Sequence, residues 1–239
     1  MKIAFAGDWH ANANWAVSAI EYARDHEADI ILHLGDYGYD FRSKFREDVE
    51  QALARADMSL WFIDGNHENF TWLYQQPTLD DGRRKISDHV WHLPRGYQWN
   101  WGGTQFMAVG GAYSVDRKWR VLHKSWWLEE VLTDEQIEAA CAGEKTDILI
   151  SHDCPSGVHI PGVDDDGPSM WPPLEILRAN EHRVQLRKIV DAIRPSEIWH
   201  GHYHVRYDAL ADFGYGRVEV HGLDMDATDL KTNVIIKEI

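Results

Sequence analysis

Side chains that can bind metal ions follow five short apolar runs of this sequence. In chain order they are Asp8, His10, Asp36, Asn66, His67, His152, His202 and His204. Imidazole nitrogen suits Mn, Fe, Zn or Ni, and carboxylate oxygen suits the harder ions of that range. A single histidine in a strand is more often a hydrogen-bonded core residue, but donors at five run ends indicate a dinuclear metal site. Such a site can polarise a phosphoryl oxygen and activate water.

The stretch from His200 to His204 raises the question of how many ions its histidines would bind. In an extended strand alternate side chains share a face. The three histidines could therefore bind one ion, contribute to two sites, or be polar residues beside a core strand without a metal-binding role. A turn at Gly201 would break this alternation. Glycines precede several donors and are expected to permit tight turns; they are Gly7, Gly35, Gly65 and Gly201.

Strands and helices alternate in the first part of the chain. The apolar runs 2–7, 29–35 and 60–65 are predicted as buried strands, and 14–27 and 45–57 as amphipathic helices. This order indicates a parallel sheet with right-handed crossovers. Ligands of such sheets bind at the carboxyl ends of strands, which is where the donors lie.

The second half is predicted to contain more strands. Helices are expected over 132–143, where Thr133 and Gln136 fit a capping box, and over 173–195, where Pro195 ends the pattern. We predict an α/β fold with two sheets in one domain, residues 1–239. The remaining strands are predicted at 89–94, 104–111, 147–152, 197–202, 216–222 and 233–239.

The composition restricts the class of partner. The 239 residues carry a formal net charge of −15, which argues against a broad surface for duplex nucleic acid or anionic membrane. A phosphorylated substrate remains compatible, because bound metal ions can be the largest local charges in a site. No apolar run approaches the roughly 20 residues of a membrane span, and the first residues read as a strand rather than a signal peptide. Two cysteines without a disulfide framework favour a reducing, cytoplasmic location.

The series D-x-H, GD, GNHE, H and GHxH, from Asp8 to His204, resembles the calcineurin-like metallophosphoesterase family. The loop stretches GGAYSVDRKWR and KSWWLEE resemble its small bacterial and phage members. The resemblance implies a four-layer α/β/β/α sandwich with two mixed sheets flanked by helices. It also implies two divalent metal ions (Mn, Fe, Zn or Ni, with Mn expected in vitro). The implied reaction is hydrolysis of a phosphomonoester or phosphodiester by in-line attack of a metal-bridging hydroxide.

The resemblance assigns a role to each motif residue. His67 would act beside the leaving-group oxygen as a general acid or electrostatic stabiliser. His200 falls outside the motif and is interpreted as a strand residue or as a hydrogen-bond donor to a metal ligand. Glu68 is interpreted as a charge at a helix N-terminus. The ligands of one ion would be Asp8, His10 and His204, those of the other Asn66, His152 and His202, and the bridge between them Asp36.

The stretch GDYGYDFR departs from the GDxVDRG of the protein-phosphatase branch by one residue. Asp40 and Arg42 are similar in kind to that branch's histidine-orienting aspartate and phosphate-binding arginine, with a solvated loop as the alternative. The shift argues against a Ser/Thr protein phosphatase. In the long, tryptophan-containing loop 112–131, Arg117 and Arg120 are candidates for binding phosphate; the alternative is again a solvated surface loop.

The expected partner is a small phosphorylated substrate, such as a nucleotide or an aryl phosphoester. Two alternatives stay open. A nuclease would use the same chemistry, but the charge of −15 counts against it. A catalytically silent binding protein would be expected to have lost ligands or the GNH histidine, and none is missing.

Overall fold

The strands form two sheets that pack face to face. A computed structural model describes residues 1–39, 43–165 and 169–239. In chain order its elements are β1 (Lys2–Ala6), α1 (Ala13–Asp25), β2 (Ile30–His33), α2 (Ser43–Ala56), β3 (Ser59–Phe62), α3 (Phe70–Leu73), β4 (Arg84–Lys85), β5 (Val90–His92), β6 (Tyr97–Trp101), β7 (Thr104–Val109), α4 (Asp134–Cys141), β8 (Ile148–Ser151), α5 (Pro173–Ile193), β9 (Glu197–His200), β10 (Tyr207–Asp212), β11 (Arg217–Gly222), α6 (Leu230–Asn233) and β12 (Val234–Glu238).

The first sheet has the strand order β12-β1-β2-β3-β5-β4. Strands β1, β2, β3 and β5 are parallel, as the alternation of strands and helices predicts. The last strand, β12, returns to pair antiparallel with β1. The carboxyl ends of β1, β2 and β3 therefore lie side by side at one edge of this sheet.

The second sheet has the order β10-β11-β9-β8-β7-β6. Its four inner strands are parallel, and β6 and β10 pair antiparallel at the two edges. These two edge strands were missing from the sequence prediction. An edge strand depends on one neighbour for its hydrogen bonds, and β10 is largely exposed, so neither carries the continuous apolar run of a buried strand.

Three apolar layers separate the four structural layers. In β1, Ala4 and Ala6 pack against the helices α1 and α2, whereas Ile3 and Phe5 face the second sheet. The outer face of the second sheet packs against α4 and α5. This arrangement confirms the α/β/β/α sandwich, because each sheet has one face toward helices and one toward the other sheet.

The helix ends follow the local sequence. Thr133 accepts a hydrogen bond from the backbone N–H of Gln136 and completes the predicted capping box of α4. The helix α5 ends at Ile193 and is followed by Arg194, whose φ of 52° is left-handed, and by Pro195. None of the helices in the described ranges combines the length and the apolar character needed to cross a membrane.

Candidate metal centre

The predicted ligands converge where the carboxyl ends of strands from both sheets meet. The first sheet contributes the residues after β1, β2 and β3, and the second sheet those after β8 and β9. We call these residues the ligand cluster: Asp8, His10, Asp36, Asn66, His152, His202 and His204.

One part of the ligand cluster brings together Asp8, His10 and His204. One donor atom from each lies within 4.8 Å of the others, a spacing that can hold a metal ion. Nε2 of His204 is 3.0 Å from Oδ2 of Asp8, and Nε2 of His10 is 3.9 Å from the same oxygen. These are the three residues predicted to bind one ion.

Asp36 lies between this group and the residues predicted to bind the second ion. Its Oδ2 is 3.6 Å from Nε2 of His10, and its Oδ1 is 3.5 Å from Nε2 of His152. Asp8, Asp36 and His152 also form a group with donor atoms within 4.8 Å of one another. A carboxylate with one oxygen toward each set of ligands has the geometry of a bridge.

His152 and Asn66 lie on the other side of Asp36. Nδ1 of His152 donates a hydrogen bond to the carbonyl oxygen of Leu34 at 2.7 Å, so its Nε2 is directed to the ligand cluster. Oδ1 of Asn66 is 3.0 Å from that Nε2. The ring of His202 lies 5.0 Å from the ring of His152, between centroids.

Four members of the ligand cluster have a strained backbone. The φ angles are 47° for His10, 54° for Asp36, 68° for His202 and 54° for His204. Non-glycine residues adopt this left-handed region at an energetic cost, and such residues concentrate at functional sites. The fold therefore holds these side chains in place against a local preference.

The neighbouring glycines mostly provide space rather than a special turn. A Cβ atom at Gly65 would overlap the carboxylate of Asp36, and one at Gly201 would overlap that of Asp8. Of the four glycines expected to permit tight turns, Gly35 is the one with a left-handed φ, 97°. The expectation is thus correct for Gly35, whereas Gly65 and Gly201 leave room for the side chains of Asp36 and Asp8, and Gly7 leaves room for the backbone carbonyl oxygen of Asp224.

The electrostatics of the ligand cluster favour bound positive charge. Burial would raise the pKa of Asp8, but the hydrogen bond from His204 and the charge of His152 outweigh it and lower the pKa to about 2. Burial would lower the pKa values of His10 and His152, yet interaction with Asp36 raises both to about 10. Two buried carboxylates thus attract protons onto histidines, and the mixed oxygen and nitrogen donors fit divalent ions such as Mn, Fe, Zn or Ni.

The sequence model of the calcineurin-like phosphoesterase family matches residues 1–206. The chain belongs to this family. Among solved structures, this calcineurin-like phosphoesterase resembles TT1561 of Thermus thermophilus, with 11% identity and a TM-score of 0.56 over 99% of this chain and 98% of that one. It also resembles a dimetal phosphatase from Danio rerio, with 13% identity and a TM-score of 0.58 over 99% and 91% of the two chains. These two likenesses support the fold, and a comparison with curated proteins found no match.

The calcineurin-like phosphoesterase orients His10 through a residue that sequence reasoning missed. Nδ1 of His10 is 2.8 Å from Oδ1 of Asp226, and Asn12 donates from Nδ2 to Oδ2 of Asp226, also at 2.8 Å. This contact directs Nε2 of His10 toward Asp8 and Asp36. Asp226 lies 216 residues from His10 in an acidic stretch, so no local spacing could have identified it.

His67 lies against Arg120. The backbone N–H of His67 donates to Oδ1 of Asp36 at 2.8 Å, and Nη2 of Arg120 is 2.6 Å from Nε2 of His67. A guanidinium can only donate, so Nε2 accepts and the ring proton lies on Nδ1. Burial lowers the pKa of His67 to about 4. The structure therefore brings one of the predicted phosphate-binding arginines to the predicted catalytic histidine.

The other residues predicted to bind substrate or to orient His67 lie apart from this contact or outside the described ranges. Nε of Arg117 pairs with Oε2 of Glu175 at 3.1 Å, and its guanidinium lies over the ring of Tyr113. Asp40 and Arg42 fall outside the described residues. The roles predicted for these three residues stay predictions.

Glu68 and His200 have structural contacts in this phosphoesterase. Glu68 is buried and accepts hydrogen bonds from the backbone N–H groups of Tyr37 and Gly65, at 2.7 and 2.6 Å. It therefore joins the loops after β2 and β3, and its interpretation as a helix-end charge is wrong; Asn69 caps α3. His200 is buried and accepts from the hydroxyl of Tyr207 at 2.6 Å, in agreement with its place outside the motif.

Proposed function

We propose that this calcineurin-like phosphoesterase is a dinuclear metal-dependent hydrolase that cleaves a small phosphomonoester or phosphodiester. The observation that carries the proposal is the position of Asp36, with one oxygen toward His10 and the other toward His152. Asp8 and Asp36 are buried, and their ion-pair partners in the described part of the chain are histidines. Divalent cations would compensate this buried negative charge.

Each side of Asp36 would hold one ion. Two divalent ions there would polarise a phosphoryl oxygen and lower the pKa of a bound water. Mn²⁺ is the ion we expect to support activity in vitro. The proposed ligands are Asp8, His10 and His204 on one side, Asn66, His152 and His202 on the other, and Asp36 between them.

His67 and Arg120 would act on the phosphoester itself. In the proposal, Arg120 binds a phosphoryl oxygen, since its guanidinium lies beside His67 and is held at Nε by Asp116 at 2.9 Å. His67 would stabilise the charge that develops on the leaving-group oxygen. Asp40, Arg42 and Arg117 remain proposed contributors to orientation of the histidine and to phosphate binding.

An exposed aromatic ring beside the cluster is compatible with a nucleotide or aryl phosphoester. The ring of Tyr39 lies 5.4 Å from that of His10 and 4.7 Å from that of His67, between centroids. Tyr39 is 41% exposed. A flat substituent on the substrate could stack on this ring next to the phosphoester, as bases stack on aromatic side chains elsewhere.

A metal-dependence assay with a substrate panel tests the proposal. Chelator-treated protein is supplied with Mn²⁺, Zn²⁺, Fe²⁺ or Ni²⁺ and given a bis-aryl phosphodiester, an aryl phosphomonoester, cyclic nucleotides and single-stranded DNA. We expect two ions per chain by elemental analysis and turnover of a small ester. Absence of turnover with every ion would favour a silent binding protein, and preferential cleavage of the DNA would favour a nuclease. The Asp36→Asn variant, purified in parallel, excludes a contaminating phosphatase.

A further inference from the structure

Two residues of the loop after β7, Ser114 and Glu130, form a buried chain of hydrogen bonds with Asn66. Nδ2 of Asn66 donates to Oγ of Ser114 at 3.0 Å, and this hydroxyl donates to Oε2 of Glu130 at 2.5 Å. The three residues are 3%, 3% and 1% exposed. The chain links the second sheet, which carries the loop, to a proposed ligand at the end of β3 in the first sheet.

The direction of these hydrogen bonds follows from their chemistry. In the ionised form of Glu130 both carboxylate oxygens accept, Oε2 from Ser114 and Oε1 from the backbone N–H of Trp127 at 3.2 Å. The hydroxyl proton of Ser114 is therefore committed to Glu130, and its oxygen can only accept. Nη1 of Arg120, which can only donate, also faces this oxygen, at 3.4 Å. Asn66 must consequently present its N–H to Ser114.

This direction determines which end of the Asn66 amide faces the metal centre. The two ends of an asparagine amide are nearly alike in size, but the oxygen can bind a cation and the NH₂ group cannot. With Nδ2 directed to Ser114, Oδ1 faces Nε2 of His152 at 3.0 Å. A reversed amide would place two N–H donors where a cation is expected.

We propose that Ser114 and Glu130 are positioning residues that fix the orientation of the Asn66 amide so that its oxygen faces the second metal ion. The inference rests on the proposed function, because it assumes that Asn66 is a ligand. The backbone on both sides of Glu130 is fixed by Arg95, which donates to the carbonyl oxygens of Glu129 and Val131, at 2.7 and 2.8 Å. The loop is thus anchored on both sides of the acceptor.

The isosteric substitution Glu130→Gln is the sharpest test. The backbone N–H of Trp127 still needs an acceptor, so the new amide oxygen is expected to face Trp127 and the new NH₂ group to face Ser114. Ser114 would then donate to Asn66 and reverse its amide. Ser114→Ala removes the chain altogether. The Ser125→Ala variant, in the same loop but with an exposed hydroxyl, is the matched control.

The readout is calorimetric titration of chelator-treated protein with Mn²⁺ alone. It is run above pH 8, because burial raises the pKa of Glu130 to about 8. We expect wild type and Ser125→Ala to bind two ions alike. Glu130→Gln and Ser114→Ala should bind the second ion about 10–100-fold more weakly, as changes behind a metal ligand commonly do.

The same substitutions made in the Asn66→Asp variant distinguish a positioning role of Ser114 and Glu130 from a general packing defect. In Asn66→Asp both ends of the side chain are oxygen, so orientation no longer matters, and adding Glu130→Gln or Ser114→Ala should weaken the second ion by less than about threefold. Equal losses in both backgrounds, or no loss in either, would overturn the positioning role. If wild type binds fewer than two Mn²⁺ ions, the proposed function itself fails, and the inference with it.

Discussion

The protein has two buried clusters of acidic residues and histidines at strand ends, and the negative charge of each is compensated in a different way. In the arginine-paired cluster, formed by Asp64, His92 and Arg95, Oδ2 of Asp64 is 2.6 Å from Nη2 of Arg95 and Oδ1 is 3.0 Å from Nε2 of His92. In the ligand cluster, Asp8 and Asp36 are equally buried but contact histidines.

The difference shows how a candidate metal site can be distinguished from a structural ion pair by the partners of its buried carboxylates. Burial would raise the pKa of Asp64, but the charge of Arg95 and the hydrogen bond of His92 outweigh it and hold the pKa at about 2. A permanent cation of the chain thus satisfies this carboxylate. In the ligand cluster, protons on histidines compensate the carboxylates instead. Bound metal ions could replace these protons. A buried carboxylate that has no arginine or lysine partner therefore indicates a cation site more strongly than a buried carboxylate that is paired with one.

The largest expected effect is that of Asp36→Asn. The variant should lose about a thousand-fold in kcat/KM, because two-metal catalysis supplies several kcal/mol of transition-state stabilisation. Elemental analysis should show that both ions are bound more weakly. The matched variant Asp64→Asn, in the arginine-paired cluster, should keep two ions. Undiminished metal content in Asp36→Asn would remove the bridging role.

Asp64→Asn should instead reduce stability. It leaves the buried guanidinium of Arg95 without its carboxylate, which commonly costs about 3–5 kcal/mol of the free energy of unfolding. Urea unfolding of the chelator-treated proteins measures this loss. Under the same conditions Asp36→Asn should cost less than Asp64→Asn, because His10 and His152, which contact Asp36, can release their protons, whereas the guanidinium of Arg95 cannot. Equal destabilisation by both substitutions would erase the distinction between the clusters.

Metal removal should affect the ligand cluster selectively. At a free Mn²⁺ concentration about 100 times the dissociation constant, each site should raise the free energy of unfolding by about 2.7 kcal/mol. Thermal unfolding with and without chelator should show this shift in wild type and in Asp64→Asn. A shift of wild-type size in Asp36→Asn would place the ions somewhere other than the ligand cluster.

His67→Ala should lower kcat about a hundred-fold, the usual contribution of a positioned acid, base or stabilising group. Both metal ions should remain bound, because His67 contacts Asp36 through its backbone N–H rather than its ring. Elemental analysis of the purified variant is the control. Loss of a metal ion would make His67 a ligand and reverse its assignment.

The smallest expected difference is between the two arginines of the loop 112–131. Arg120→Ala should lower kcat/KM about tenfold, since one charge-assisted hydrogen bond to phosphate contributes roughly 1.5 kcal/mol. Arg117→Ala should cost about threefold, because its guanidinium is engaged by Glu175. Steady-state kinetics on the best substrate of the panel measures both, and a larger loss in Arg117→Ala would assign phosphate binding to that residue.

Much of the fold could be predicted because its signals are local. Apolar runs mark the parallel strands, helical spacing marks α1 and α2, and the capping box marks the start of α4. The order of the motif residues also identified the family and the side chains that come together. A strand end brings its next residues to the sheet edge in any α/β sheet, so this part needs no detailed packing.

The residues that orient the candidate ligands could not be predicted from local sequence patterns. Asp226 contacts His10 across 216 positions, and Glu130 reaches Asn66 through Ser114. None of these pairs has a characteristic spacing. They meet because the loops of the two sheets pack together at one edge.

The sequence by itself determined the candidate metal-binding donors, their positions after strands and the family to which the chain belongs. Only the tertiary structure decided which buried carboxylates have a permanent cation, which arginine lies at His67, and which amide end of Asn66 faces the cluster. The physical reason is that periodicity and turn chemistry act over a few residues. The direction of a buried hydrogen bond depends on every group packed around it.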